Sequence, residues 1–156
     1  MAAPNKAIWG PAFWTILHTW AERLDENRDL HTDSEISIHW GRFIRWLPEV
    51  LPCVVCQEHA RLQRRPNFMT LKGSSLHVVA RDWLYNFHNE VNSRLAKGGR
   101  PFTISDLSSY KSRDLKDTYY LLLENVRQGV AANIVRYESY SAWKIHADHL
   151  ATLLGL

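Results

Sequence analysis

The chain has 156 residues, 46% hydrophobic and 22% charged, enough for one compact domain whose core needs no cross-links to form. The formal charge of +3 and the pI near 9.0 are mild, and Lys and Arg are spread from Lys6 to Lys144 without a stripe, so charge does not argue for nucleic acid. No apolar run approaches the roughly 20 residues of a membrane span and no N-terminal stretch has signal-peptide architecture, so a soluble, unsecreted protein is expected.

In chain order the periodicity predicts helices and no strand. Phe13, Trp14, Leu17, His18, Ala21 and Leu24 recur at three and four, predicting a helix from about Pro11 to Leu24 with the proline in its first turn. After a polar loop at 25–33, Ser34 reads as the cap of a second helix carrying Ile36, Trp40, Phe43, Ile44 and Leu47, interrupted at Pro48 and Pro52. A third helical segment should begin at the cysteines and run to about Arg65. A loop at 66–73 precedes the longest periodic stretch, capped by Ser74 or Ser75, with Leu76, Val79, Ala80, Trp83, Leu84, Phe87, Val91 and Leu95 on one side, ending near Gly98 and Gly99. A turn-rich connector at 101–109 leads to two last helices, about Asp114–Gln128 and Ser139–Leu154.

Pro52-Cys53-Val54-Val55-Cys56-Gln57-Glu58-His59 holds the only two cysteines. Placed in the first turn of a helix, they face unpaired N–H groups and the positive end of the helix dipole, which favour a thiolate and hence disulfide exchange. A thioredoxin-like setting would need a preceding strand, and covalent haem attachment would need His where Gln57 stands. Zinc is the serious competitor, because Cys53, Cys56 and His59 have ligand-like spacing and His88 could complete a tetrahedron. On spacing alone the redox and zinc readings stand level.

Two further motifs flank the pair. In Trp9-Gly10-Pro11-Ala12-Phe13-Trp14 through Leu17-His18, Trp14 and His18 share a helix face. In Phe87-His88-Asn89-Glu90-Val91-Asn92 through Leu95 and Lys97, His88 and Asn92 stand one turn apart with Lys97 beyond. A face bearing His, Asn and a terminal Lys beside an apolar stripe suits a ligand with flat rings and phosphates. Taken singly, each of these residues also fits an ordinary core or surface position.

The three motifs, in this order, resemble those of the flavin-dependent sulfhydryl oxidases of the Erv/ALR type, over about residues 8–110. The matching positions are Trp9, Gly10, Pro11, Trp14, Leu17 and His18, then Pro52, Cys53 and Cys56, then His88, Asn89, Val91, Asn92, Leu95 and Lys97. Within the family, the chain resembles the short versions carried by large cytoplasmic DNA viruses. The resemblance implies an all-α fold: a four-helix bundle with a short fifth helix, binding FAD at its mouth with the isoalloxazine beside the disulfide. Residues 1–110 would form the FAD-binding oxidase domain and 111–156 a helical extension packed on it. Trp9, Gly10, Trp14 and His18 would line the flavin, with Cys56 facing it and His59 a further candidate. His88, Asn89, Val91, Asn92, Leu95 and Lys97 would hold the rest of the cofactor, and no metal is implied. Cys53 would meet the substrate thiol, and electrons would pass from Cys53/Cys56 through FAD to O2, giving H2O2.

Many cellular members carry an additional shuttle cysteine pair, and Leu51 stands where they often have Tyr. With only two cysteines here, electrons are expected to come directly from a thiol-bearing client or a small Cys-x-x-Cys carrier. A homodimer is expected, as is a cytoplasmic disulfide-forming pathway of the viral kind, with the mitochondrial intermembrane space as the alternative.

Overall fold

The computed structural model describes residues 2–95 and 103–156, and among these it contains helices and no strand. The α-helices are α1 (Lys6–Arg23), α2 (Leu30–Val50), α3 (Val54–Arg61), α4 (Gly73–Arg94), α5 (Ile104–Leu107), α6 (Lys116–Ala131) and α7 (Tyr137–Leu154), with 3₁₀ turns at Phe68–Thr70 and Ser108–Ser112. The central helices are α1, which packs on α4 and α6, and α2, which packs on α7 and α3.

Several boundaries differ from those the sequence predicts, each for a local reason. The first helix begins a turn before Pro11, because the Asn5 side chain accepts the Ala7 N–H at 2.9 Å and caps it. The second begins at Leu30 with Asp29 as cap, accepting from Thr32 N at 2.9 Å, while Ser34 bonds back to the Leu30 carbonyl from inside the helix. Pro48 does not interrupt it. Proline removes the N–H that would bond to the Ile44 carbonyl, and the Arg65 guanidinium reaches that end of α2 instead, at 3.4 Å from Ile44 O and 3.0 Å from Arg45 O. The third helix stops at Arg61, short of Arg65, and the fourth starts at Gly73. The predicted stop at Gly98 and Gly99 lies outside the described residues. The described part of the connector is helical, since Thr103 and Asp106 form a capping box that starts α5.

The core is densely aromatic. Trp20, Trp40 and Trp143 have no exposed surface, and Phe43 stands between them at ring-centroid distances of 5.5, 6.0 and 5.7 Å. Each tryptophan buries about 200 Å², so each contributes on the order of 5 kcal/mol at about 25 cal/mol per Å².

Arg23 ties the end of α1 to two distant segments. It donates to the carbonyls of Lys111 (2.9 Å) and Arg113 (2.6 Å) on one side and Gly155 (2.8 Å) on the other. Trp20 Nε1 also donates to Gly155 O, at 3.1 Å. The chain around 110–113 is therefore held against α1, with consequences for the site.

Candidate functional site

Cys53 is the cap of α3, in an extended conformation, and Cys56 is the third residue of the helix. The two are joined as a disulfide, with their Cα atoms 5.2 Å apart. Cys56 N–H donates to Cys53 Sγ at 3.2 Å, so the helix terminus already presents a donor to that sulfur. Val54 and Val55, between the cysteines, are 55% and 57% exposed, leaving this turn open to solvent on its outer side.

On its inner side the turn meets a cleft of about 870 Å³ at one end of the α1–α4 pair. Cys56 and His59 line it from α3, and Trp9, Gly10 and Trp14 from α1. His88 and Val91 line it from α4, and Leu95 from the cap of that helix. Trp14 and His88 lie face to face, centroids 3.9 Å apart and planes within 6°. His18 stands behind them rather than in the wall, its Nε2 2.8 Å from His88 Nδ1. Burial, then the neighbouring His88, then Arg113 push the His18 pKa down to about 3. His18 is thus a neutral imidazole at physiological pH.

Cys53 does not line the cleft, and neither do the part-buried Asn89 and Asn92 of α4. Lys97 lies outside the described residues. The cleft also takes residues that the motifs do not mark. Leu47 and Leu51 supply apolar wall, and Phe87 sets its edge against Trp14 at 5.2 Å. Tyr110 and Arg113 come from the connector, with the Arg113 guanidinium 4.3 Å above the Tyr110 ring. Arg23 fixes them there by holding the Lys111 and Arg113 carbonyls, a long-range arrangement with no periodic signal in the sequence. Phe87 and Leu51 had visible cues, the one its place beside His88, the other its place where cellular members of the family often have Tyr. Lys6, Arg94 and Arg113 give the cleft cationic margins, Arg94 also pairing with Glu90.

The zinc reading fails here. Both sulfurs are in the disulfide, and among the described residues no group of three or more His, Cys, Asp or Glu could hold a metal ion. No described helix is long and apolar enough to cross a membrane.

A helical fold that opens a redox disulfide onto an aromatic cleft with cationic margins defines a class of protein that exchanges electrons between thiols and a bound aromatic cofactor. The family model described as "Erv1 / Alr family" matches residues 11–113, and the chain belongs to that family. Among its relatives, the FAD-linked sulfhydryl oxidase of African swine fever virus is 36% identical over 89 residues, 57% of this chain and 69% of its own. The 347L protein of Invertebrate iridescent virus 6 is 29% identical over 104 residues, 63% of this chain and 88% of its own. The mitochondrial FAD-linked sulfhydryl oxidase erv1 of Schizosaccharomyces pombe is 29% identical over 118 residues, 73% of this chain and 58% of its own. No solved structure matches the chain significantly.

Proposed function

We propose that the chain is an FAD-linked sulfhydryl oxidase that makes disulfides in client proteins and delivers the electrons to O2. The observation that carries this reading is the Cys53–Cys56 disulfide at the wall of an aromatic cleft, in a member of the Erv1/Alr family.

The residues present fit FAD. A Cβ on Gly10 would find no heavy atom within 4 Å, so a flat ring has room to approach the α1 backbone there. The Trp14 and His88 rings suit stacking, and Lys6, Arg94 and Arg113 supply the positive charge that a pyrophosphate needs. Trp9, Gly10, Trp14, His18, Cys56 and His59 are assigned to the flavin end. His88, Val91 and Leu95 are assigned to the remainder from the cleft wall; Asn89 and Asn92, which do not line the cleft, and Lys97 are assigned to it on the motif alone. When bound, FAD supplies acceptance of two electrons from a dithiol and their transfer to O2 as H2O2.

The chain's own part is thiol chemistry. A client thiolate attacks Cys53 Sγ, reached past the exposed Val54 and Val55, and Cys56 leaves as a thiolate on the cleft side. A second client thiol attacks the client sulfur of this mixed disulfide and releases Cys53. The Cys56 N–H, 3.2 Å from Cys53 Sγ, meets the charge that develops there. The client leaves oxidised and both electrons reside on the Cys53/Cys56 dithiol.

Residues 1–110 form the oxidase unit in this reading and 111–156 brace it. The client is a thiol-bearing protein or small Cys-x-x-Cys carrier, and the working form is a homodimer. The cytoplasm is the favoured compartment, with the viral relatives in its support; the alternative is the mitochondrial intermembrane space, for which the fungal relative's name supports a mitochondrial setting. The purified protein should be yellow and should release peroxide from dithiothreitol, with the release lost in Cys53→Ser and Cys56→Ser. Colourless protein that takes up no FAD would sink the assignment.

A further inference from the structure

Behind the redox turn, on the side away from solvent, lies a contact with the C-terminal helices. Gln57, directly after Cys56, is 7% exposed, and its Nε2 donates to Leu51 O at 2.8 Å and to Ile134 O at 3.0 Å. The Leu51 carbonyl also accepts the Cys53 N–H, at 2.8 Å, and the Gln57 N–H donates to Cys53 O at 2.9 Å. One side chain thus joins the residues flanking Cys53 to the turn between α6 and α7.

That turn is rigid on its own account. The Gly129 carbonyl accepts both Ile134 N–H (2.9 Å) and Val135 N–H (3.1 Å), and Asn133 adopts φ 59°, a left-handed conformation that asparagine tolerates. The position of Ile134 O is therefore set before Gln57 reaches it. The same turn presses on Pro52: a Cβ on Gly129 would stand 3.0 Å from both Pro52 Cβ and Val135 Cγ2, so glycine permits the approach. The contact joins a segment inside the family match to one beyond it, since the match ends at 113.

We propose that Gln57 is a positioning residue that clamps the Cys53–Cys56 turn to the α6–α7 turn, so that residues beyond 113 set how readily the disulfide is reduced. A turn pinned at Leu51, Pro52 and Gln57 keeps the two sulfurs close after reduction, which raises their effective concentration and favours the disulfide. The proposal rests on reading Cys53–Cys56 as the working couple.

The test is the equilibrium constant of that couple. Full-length FAD-loaded protein is equilibrated under nitrogen in glutathione buffers, where two GSH reduce the disulfide and give GSSG, and the free thiols are then trapped and counted by mass. Gln57→Met keeps the volume and loses both donors, and should make the disulfide more easily reduced by about 5-fold to 10-fold. Gly129→Ala, which leaves the amide and displaces Pro52, should move the constant the same way. Gln63→Ala, which removes an exposed amide bonded to Glu90 at 3.2 Å, should leave it unchanged. A constant unmoved in Gln57→Met, even with a lowered melting temperature, overturns the proposal. If Gln57→Met does not fold, an unmoved constant in Gly129→Ala overturns it. Peroxide release by the parent chain, measured alongside, separates the two readings: its absence counts against the oxidase assignment, and an unmoved constant in a peroxide-producing parent counts against the clamp.

Discussion

The cleft face and the α2–α7 face are built from the same aromatic residue types and differ in what they leave unfilled. Around Phe43, the rings of Trp20, Trp40 and Trp143 each pack on it with no surface of their own left exposed. Around Trp14, the rings of Phe87 and His88 form one wall of an open space of about 870 Å³. A tryptophan at helical spacing therefore does not distinguish core from site. What separates the two faces is the company the ring keeps: a glycine without a neighbour at Gly10, and the Cys56 end of a disulfide in the wall.

This contrast can be broken from either side. The largest effect should come from Cys56→Ser, which should reduce peroxide formation from a dithiol by about 1,000-fold or more while leaving the helical circular-dichroism signal in place. On the other face, Trp143→Ala should cost about 3–5 kcal/mol in denaturant unfolding, and any loss of activity should follow the folded fraction. Gly10→Leu sharpens the comparison further. Its side chain would enter the cleft and not the core, so FAD affinity measured by fluorescence titration should fall by about 10-fold or more, with unfolding free energy changed by less than about 1 kcal/mol.

A further effect is a pH dependence, spread over several pH units. The folded-state pKa of His18 lies near 3, below its ordinary 6.5, because burial, His88 and Arg113 all disfavour the cation. The unfolded chain therefore binds more protons between those values. The contribution of a neutral His18 to stability is complete above pH 6.5 and is lost as pH falls from there toward 3, with a slope of at most about 1.4 kcal/mol per pH unit. His18→Leu should flatten that slope in unfolding curves taken across the window. A variant with the parent's slope would show that the acid sensitivity arises elsewhere.

Helix identity was legible in the sequence because amphipathic spacing is a local property, and Trp14, His18 and His88 were legible as residues of the motifs themselves. Helix ends were less so. Asn5, Asp29 and Arg65 act through side-chain bonds whose partners depend on the folded backbone, so Pro11 passes as a helix start and Pro48 as a break although the helices run through both. Tyr110, Arg113 and Gln57 escaped for a related reason. Their roles depend on Arg23 holding the connector and on the α6–α7 turn meeting Pro52, contacts between segments about 80 residues apart that no spacing rule encodes.

The central claim is that electrons entering at Cys53 and Cys56 reach a flavin held in this cleft. It is tested most directly by anaerobic addition of dithiothreitol to the FAD-loaded protein, following the flavin's visible absorption. The account predicts stoichiometric bleaching in the parent chain, its absence in Cys56→Ser with the cofactor still bound, and return of the colour when air is admitted. Equal bleaching in the parent and in Cys56→Ser would contradict it.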